Sequence, residues 1–308
     1  MNNFYGQETK CEFAFCGLGD CFHLWTPEDF PIIFTSEDDF KRGMSIIGLC
    51  SRLFPDVKII TFELMSNHLH ILASGKESRV RMMFERIKEA VRRFVISAGR
   101  TFDSNAFRPG IRRIEDLSDM RNVIVYDNKN GFIVSPHHTP FSYPWGANRY
   151  YFNQGAVALA RQNARPITLR ERRLFSHSRD FDKTGSDLTC FDGYVSPVSF
   201  CAIDEGESLF RNASHYFFQL SRSVETNRKI AKEIGESIYY NDDELFAAVS
   251  QIARDRYHSS NLSSINSESK LELAKTMYFD YNANPKQIAR MLRLPLSALE
   301  SLGMVSNK

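Results

Sequence analysis

His68 and His70 stand two apart in Met65–Gly75, "MSNHLHILASG", inside an otherwise apolar run. On a strand, alternate residues share a face, so the two imidazoles point together while Leu69 and Ile71 face the opposite layer. Two rings so placed can converge on a divalent cation, or they can decorate a solvent face. Two ligands alone do not hold a metal, and a third donor must come from another element. Asn122, Tyr126 and Asn130 recur at i+4 steps in "RNVIVYDNKNG" and make a polar stripe on one helix face. That stripe sets an oxygen donor, Asn130, one turn from a phenol, Tyr126, the pairing that a nucleophile beside a metal needs. The alternative for Tyr126 is an amphipathic packing residue.

The elements that must position these groups follow from periodicity. "FHLWT" (22–26) reads as a short strand, and Ser36 caps a helix whose Phe40, Met44, Ile47, Cys50 and Phe54 repeat at helical spacing. "DVKIITFEL" and "HLHILAS" form a hairpin across "MSN". In "ESRVRMMFERIKEAVRRFVISAGR" a stripe of Val80, Phe84, Ile87, Val91 and Phe94 is surrounded by Arg79, Arg81, Arg86, Lys88, Arg92 and Arg93, which predicts a basic amphipathic helix. Its cations either track a phosphate backbone or form a solvated face stapled by Glu85 and Glu89. "AFRPGIRRI" supplies an edge strand carrying Arg112 and Arg113, since proline is tolerated only at an edge or bulge. A helix then starts near Asp116 and runs until Gly131 stops it. This order predicts an α+β fold, a ferredoxin-like antiparallel sheet with packed helices.

Proline-rich "SPHHTPFSYPWG" (135–146) marks a boundary, giving a domain at 1–152 and a mostly helical region at 153–308. His137 and His138 there are adjacent, diverge, and read as loop histidines. Near the C-terminus, Asn284 and Pro285 open one short helix and Pro295 another, so 269–303 reads as a possible helix-turn-helix. Its last helix, "LSALESLG", lacks the Arg, Lys, Asn or Gln of base readout, which favours packing or oligomerisation over groove reading.

The chain has 308 residues, 43% hydrophobic and 25% charged, with a net charge of +2, an ordinary globular composition that calls for no polyanionic partner by itself. No apolar run approaches about 18 residues, and the N-terminus lacks a signal-peptide pattern, so a cytoplasmic protein is expected. Six cysteines without C-x-x-C pairs read as reduced, mostly buried thiols.

"ITFELMSNHLHILASG", the basic helix after it, "RNVIVYDNKNG" and "SYPWG", in that order, closely resemble the tyrosine HUH transposases, specifically the REP-associated (RAYT) branch. Ser66 replaces a proline of the family's strand motif, and Gly131 replaces the proline after its helical asparagine; the resemblance covers about the first half of the chain. It implies that His68, His70 and a third side chain, matched by Asn130, bind Mg²⁺ or Mn²⁺, and that Tyr126 attacks a single-stranded DNA phosphate to give a 5′-phosphotyrosine and a free 3′-hydroxyl. Partners implied are single-stranded or hairpin DNA, engaged by Arg79, Arg81, Lys88, Arg92, Arg112 and Arg113. A monomer or homodimer with nucleoid association is also implied. The other tyrosines to consider are Tyr143, Tyr150 and Tyr151. A domesticated protein that binds DNA without cutting is the competing expectation. A two-histidine-motif phosphodiesterase is disfavoured, because no second histidine strand motif is present.

Overall fold

A computed structural model describes residues 2–134, 143–222, 242–259, 261–281, 283–300, 302 and 304. The chain separates into two compact units, 1–222 and 223–308. His137 and His138 lie outside the described residues.

The first unit opens with a helix that the sequence pattern left unassigned, α1 (Asn2–Leu18), followed by β1 (Cys21–Trp25), α2 (Glu37–Ser51), β2 (Lys58–Leu64), β3 (Leu69–Ser74), α3 (Glu77–Ser97), β4 (Gly110–Arg113) and α4 (Leu117–Val134). Ser36 caps α2 by accepting from the Asp39 amide, as expected of a serine before an acidic first turn. The four strands make one sheet in the order β2-β3-β1-β4, with every neighbouring pair antiparallel. Gly131 does not end α4, which runs on to Val134. An interior glycine costs only about 1 kcal/mol, and the packing of a long apolar helix outweighs it.

The pleat divides the sheet into two unlike faces. In register, Glu63, His70 and Trp25 align across three strands, and His23 aligns with Leu72 and Arg112. Phe22, Leu24, Phe62, Leu64, Leu69 and Ile71 take the other face. That apolar face receives α2, where a Cβ at Gly43 would stand 2.5 Å from Leu64 Cδ2, so glycine sets how closely helix and sheet approach. Helix α3 packs beside α2 on this side and buries Val80, Met83, Phe84, Ile87, Ala90, Val91, Phe94 and Val95.

Helix α4 covers the polar face. Buried Thr61 Oγ1 donates to Asn128 Oδ1 at 2.6 Å, and Asn128 Nδ2 donates to Tyr216 Oη at 2.9 Å. Arg121 holds the far side of α4: its Nη1 meets Glu8 of α1 at 2.6 Å, and its Nε donates to the Leu209 carbonyl. The Arg121 hydrogen bond keeps the Glu8 carboxyl below the ordinary carboxylate range.

The edge of β2 is not open. Leu64 N donates to Trp145 O and Ala147 N to Phe62 O, while the hydroxyls of Tyr143 and Tyr151 donate to the carbonyls of Leu64 and Ile60. Ala202 N donates to Ile59 O farther along. Residues beyond 152 therefore pack into the same compact unit. They form α5 (Gln154–Gln162), α6 (Leu169–Ser176), a small sheet of β5 (Arg165–Pro166), β6 (Thr189–Phe191) and β7 (Tyr194–Val195), then α7 (Ile203–Ser208) and α8 (Ala213–Arg222). The six cysteines are free, and five are buried.

The second unit is helical: α9 (Asp242–Tyr257), α10 (Ser267–Tyr281), α11 (Pro285–Leu292) and α12 (Leu296–Glu300). Asn284 caps α11 in a reciprocal box with Gln287, with Pro285 in the first turn. Leu273, Met277, Tyr281, Ile288, Leu292 and Leu299 form its buried side.

Exchange of Asn128 for alanine strips buried Thr61 and Tyr216 of a shared partner and is expected to cost about 2–4 kcal/mol in a urea melt. A loss under about 1 kcal/mol would show that this link does not hold α4 to the sheet.

Candidate metal centre

Three side chains from three elements meet on the polar face. His23 comes from β1, His70 from β3 and Asp127 from α4, and all three are fully buried. His23 Nε2 lies 3.0 Å from Asp127 Oδ1 and 3.4 Å from His70 Nδ1, and His70 Nδ1 lies 3.7 Å from Asp127 Oδ1. The proximity of His23 and Asp127 is not an aligned hydrogen bond: among the described residues, neither carboxylate oxygen of Asp127 nor Nδ1 of His23 has a hydrogen-bond partner. A buried carboxylate left so is costly, and two ring nitrogens facing one another need a proton or a cation between them. The three donor atoms lie on a circle of radius about 2 Å, so an ion at zinc-type bond lengths of about 2.0–2.2 Å reaches all three at once. The donor set fits a divalent metal.

Tyr126, the residue before Asp127, borders this triangle. Its ring centroid is 5.8 Å from that of His70 and 6.4 Å from that of His23, edge-on to both, and the residue is 1% exposed. Trp25 forms a second wall 5.4 Å from His23, and its ring lies where a Cβ on Gly110 of β4 would have to be. Glu63, fully buried, sits directly across the strand pair from His70.

The sequence-derived positions distribute unevenly around this centre. His70 belongs to it. His68, just ahead of β3, stands at its margin at 9% exposure, with its ring 5.3 Å from that of His70 and Nδ1 2.8 Å from Asn67 Oδ1. Asn130 falls within α4, but its side chain is outside the described residues. Sequence reasoning missed His23 and Asp127. A histidine between Phe22 and Leu24 on a predicted strand was the available signal for one, and the acid beside Tyr126 for the other.

Tyr143, Tyr150 and Tyr151 lie elsewhere. Burial pushes each phenol above its ordinary value, and the hydroxyls of Tyr143 and Tyr151 serve the β2 edge.

The six cations proposed for DNA are all engaged with carboxylates: Arg79 with Asp56, Arg81 with Glu77, Lys88 with Glu85, Arg92 with Glu89, Arg112 with Asp119 and Arg113 with Asp20. The Arg79 hydrogen bond lowers the Asp56 carboxyl, and the Arg92 hydrogen bond lowers that of Glu89. Four of the six ride on α3, behind the sheet from the histidines.

A scan against protein-family models finds no match, and a search of curated proteins finds none. Among solved structures, that of a REP-associated tyrosine transposase bound to a REP hairpin aligns with 44% of this chain and 81% of its own, at 13% identity and a TM-score of 0.32. The likeness is remote, and at that score it carries no argument. No helix among the described residues is long and apolar enough to cross a membrane.

Asp127→Asn removes a buried charge that has no hydrogen bond in the metal-free protein. The apo variant is expected to unfold at the same or a higher urea midpoint, with a gain of up to about 2 kcal/mol. A loss of about 2 kcal/mol or more would mean that His23 satisfies the carboxylate as a plain ion pair.

Proposed function

We propose that this protein is a metal-dependent tyrosine nuclease and strand transferase of the HUH type, acting on single-stranded or hairpin DNA. The observation that carries this reading is the placement of Tyr126: a phenol beside two histidines and a carboxylate whose donor atoms fit one cation. The strand-helix-strand-strand-helix-strand order and the antiparallel 2-3-1-4 sheet support a ferredoxin-like scaffold for it. The sequence resemblance supplies the substrate class.

His23, His70 and Asp127 would hold the divalent ion. When bound, the ion supplies charge neutralisation at a scissile phosphate. Tyr126 Oη attacks phosphorus and gives up its proton, a bond from phosphorus to the phenolic oxygen forms, the bond to the 3′-oxygen breaks, and that oxygen leaves as a hydroxyl. The 5′-phosphotyrosine keeps the bond energy for rejoining. Asn67 fixes the His68 ring through Nδ1, placing an oriented imidazole at the margin where DNA would arrive. In the second unit, the helices α11 and α12 are read as a packing module in place of a groove reader.

One observation favours the second reading, a DNA-binding protein on the same scaffold that does not cut: Tyr126 is 1% exposed. Cleavage would require this site to open.

Incubation with hairpin oligonucleotides and Mn²⁺ is expected to give a protein–DNA adduct that survives denaturing electrophoresis. Tyr126→Phe should abolish it while leaving binding within about threefold, since loss of one hydroxyl removes no phosphate-neutralising charge. An undiminished adduct in the variant would assign the nucleophile elsewhere, and binding by the wild type with no adduct would establish the second reading.

Because α3 lies on the sheet face turned away from the histidines, Lys88→Gln and Arg92→Gln are expected to change DNA retention by less than about twofold, with no change in its salt dependence. A tenfold loss would place the DNA along α3.

A further inference from the structure

We propose that the centre formed by His23, His70 and Asp127 selects a first-row transition ion of the zinc and cobalt type over magnesium, and that His68 is not among its ligands. The inference rests on the metal-dependent reading of this site and narrows it.

Three features of the site point to this selection. The first is donor chemistry. Two imidazole nitrogens and one carboxylate oxygen suit zinc and its neighbours, whereas magnesium takes oxygen ligands and keeps much of its water. The second is spacing. A tetrahedral shell with bonds of about 2.05 Å has ligand–ligand edges of about 3.3 Å, and an octahedral shell at the same bond length has edges of about 2.9 Å. The observed separations of 3.0, 3.4 and 3.7 Å centre on the tetrahedral edge and not on the octahedral one. The third is the surroundings. All three ligands are fully buried, and the rings of Trp25 and Tyr126 stand 5.4 and 6.4 Å from that of His23. An aromatic wall is a poor replacement for the water shell that magnesium retains.

His68 is set apart by distance: it is absent from the cluster whose donor atoms lie within 4.8 Å of one another. His23 reaches the site because β1 lies beside β3.

The test uses the full chain, stripped with a chelator and titrated with Co²⁺ while visible absorption is followed. A bound ion of low coordination number gives an intense d–d band, which octahedral cobalt does not. That band is expected at one equivalent, to be removed by equimolar Zn²⁺, and to persist in a ~1,000-fold excess of Mg²⁺. His23→Gln and Asp127→Asn should weaken Co²⁺ binding by at least about tenfold, and His68→Gln should leave affinity and band within about twofold. Far-UV circular dichroism checks that each variant folds, and the wild-type band does not depend on any variant.

A weak octahedral spectrum, or displacement by equimolar Mg²⁺, would overturn the selection while leaving the metal centre standing. Loss of the band in His68→Gln with retention in His23→Gln would overturn the ligand set. Failure of every ion to bind would remove the metal centre altogether, and the Tyr126 adduct would then have to form under chelator or not at all.

Discussion

Asp127 is a carboxylate in the middle of a protein, and the local architecture is organised around holding it against two histidines. Burying an ionised carboxylate costs several kcal/mol unless opposite charge and hydrogen bonds meet it. Here two imidazole nitrogens face it at 3.0 and 3.7 Å without an aligned hydrogen bond, from strands that are neighbours in the sheet but far apart in the chain. Helix α4 must then be held at a fixed depth, because a shift of one ångström would separate the donors. Thr61, Asn128 and Tyr216 fix that depth on one side, and Arg121 with Glu8 and Leu209 fixes it on the other. The sheet works as two unlike surfaces, with the cost of the polar one met by packing on the apolar one.

Local patterns were legible where chemistry and structure share a short window. The hairpin, the cap at Ser36, the stripe of α3 and the box at Asn284 all follow from residues within a few positions of one another. The centre was only half legible for the same reason. A period of two correctly separates His70 from Leu69 and Ile71, but nothing near His23 announces that β1 will lie beside β3. The i+4 match drew attention to Asn130, whose side chain lies outside the described residues, and passed over Asp127, one residue after the tyrosine, which faces the histidines.

The cations show how far pairing can be read along the chain. A run of arginines on a helix reads either as a polyanion track or as a solvated face paired with carboxylates. The partners of Lys88 and Arg92 are three residues away and could be read from sequence. Asp56 for Arg79 and Asp20 for Arg113 are 23 and 93 residues away, and only the fold brings them together.

The cover on the β2 edge has a meaning for the life of the chain outside the native state. A sheet of order 2-3-1-4 has two rims, and an exposed apolar rim is a template on which another molecule can add a strand. The β2 segment, "KIITFEL", is the adhesive one, and it is sealed by backbone and tyrosine hydroxyls from 143–151 and by Ala202. The other rim is β4, only four residues long, preceded by Pro109 and carrying Arg112 and Arg113. The seal on β2 thus comes from residues far downstream of the strand they protect. During synthesis, β2 is made well before its seal, an interval in which the nascent chain carries a sticky edge.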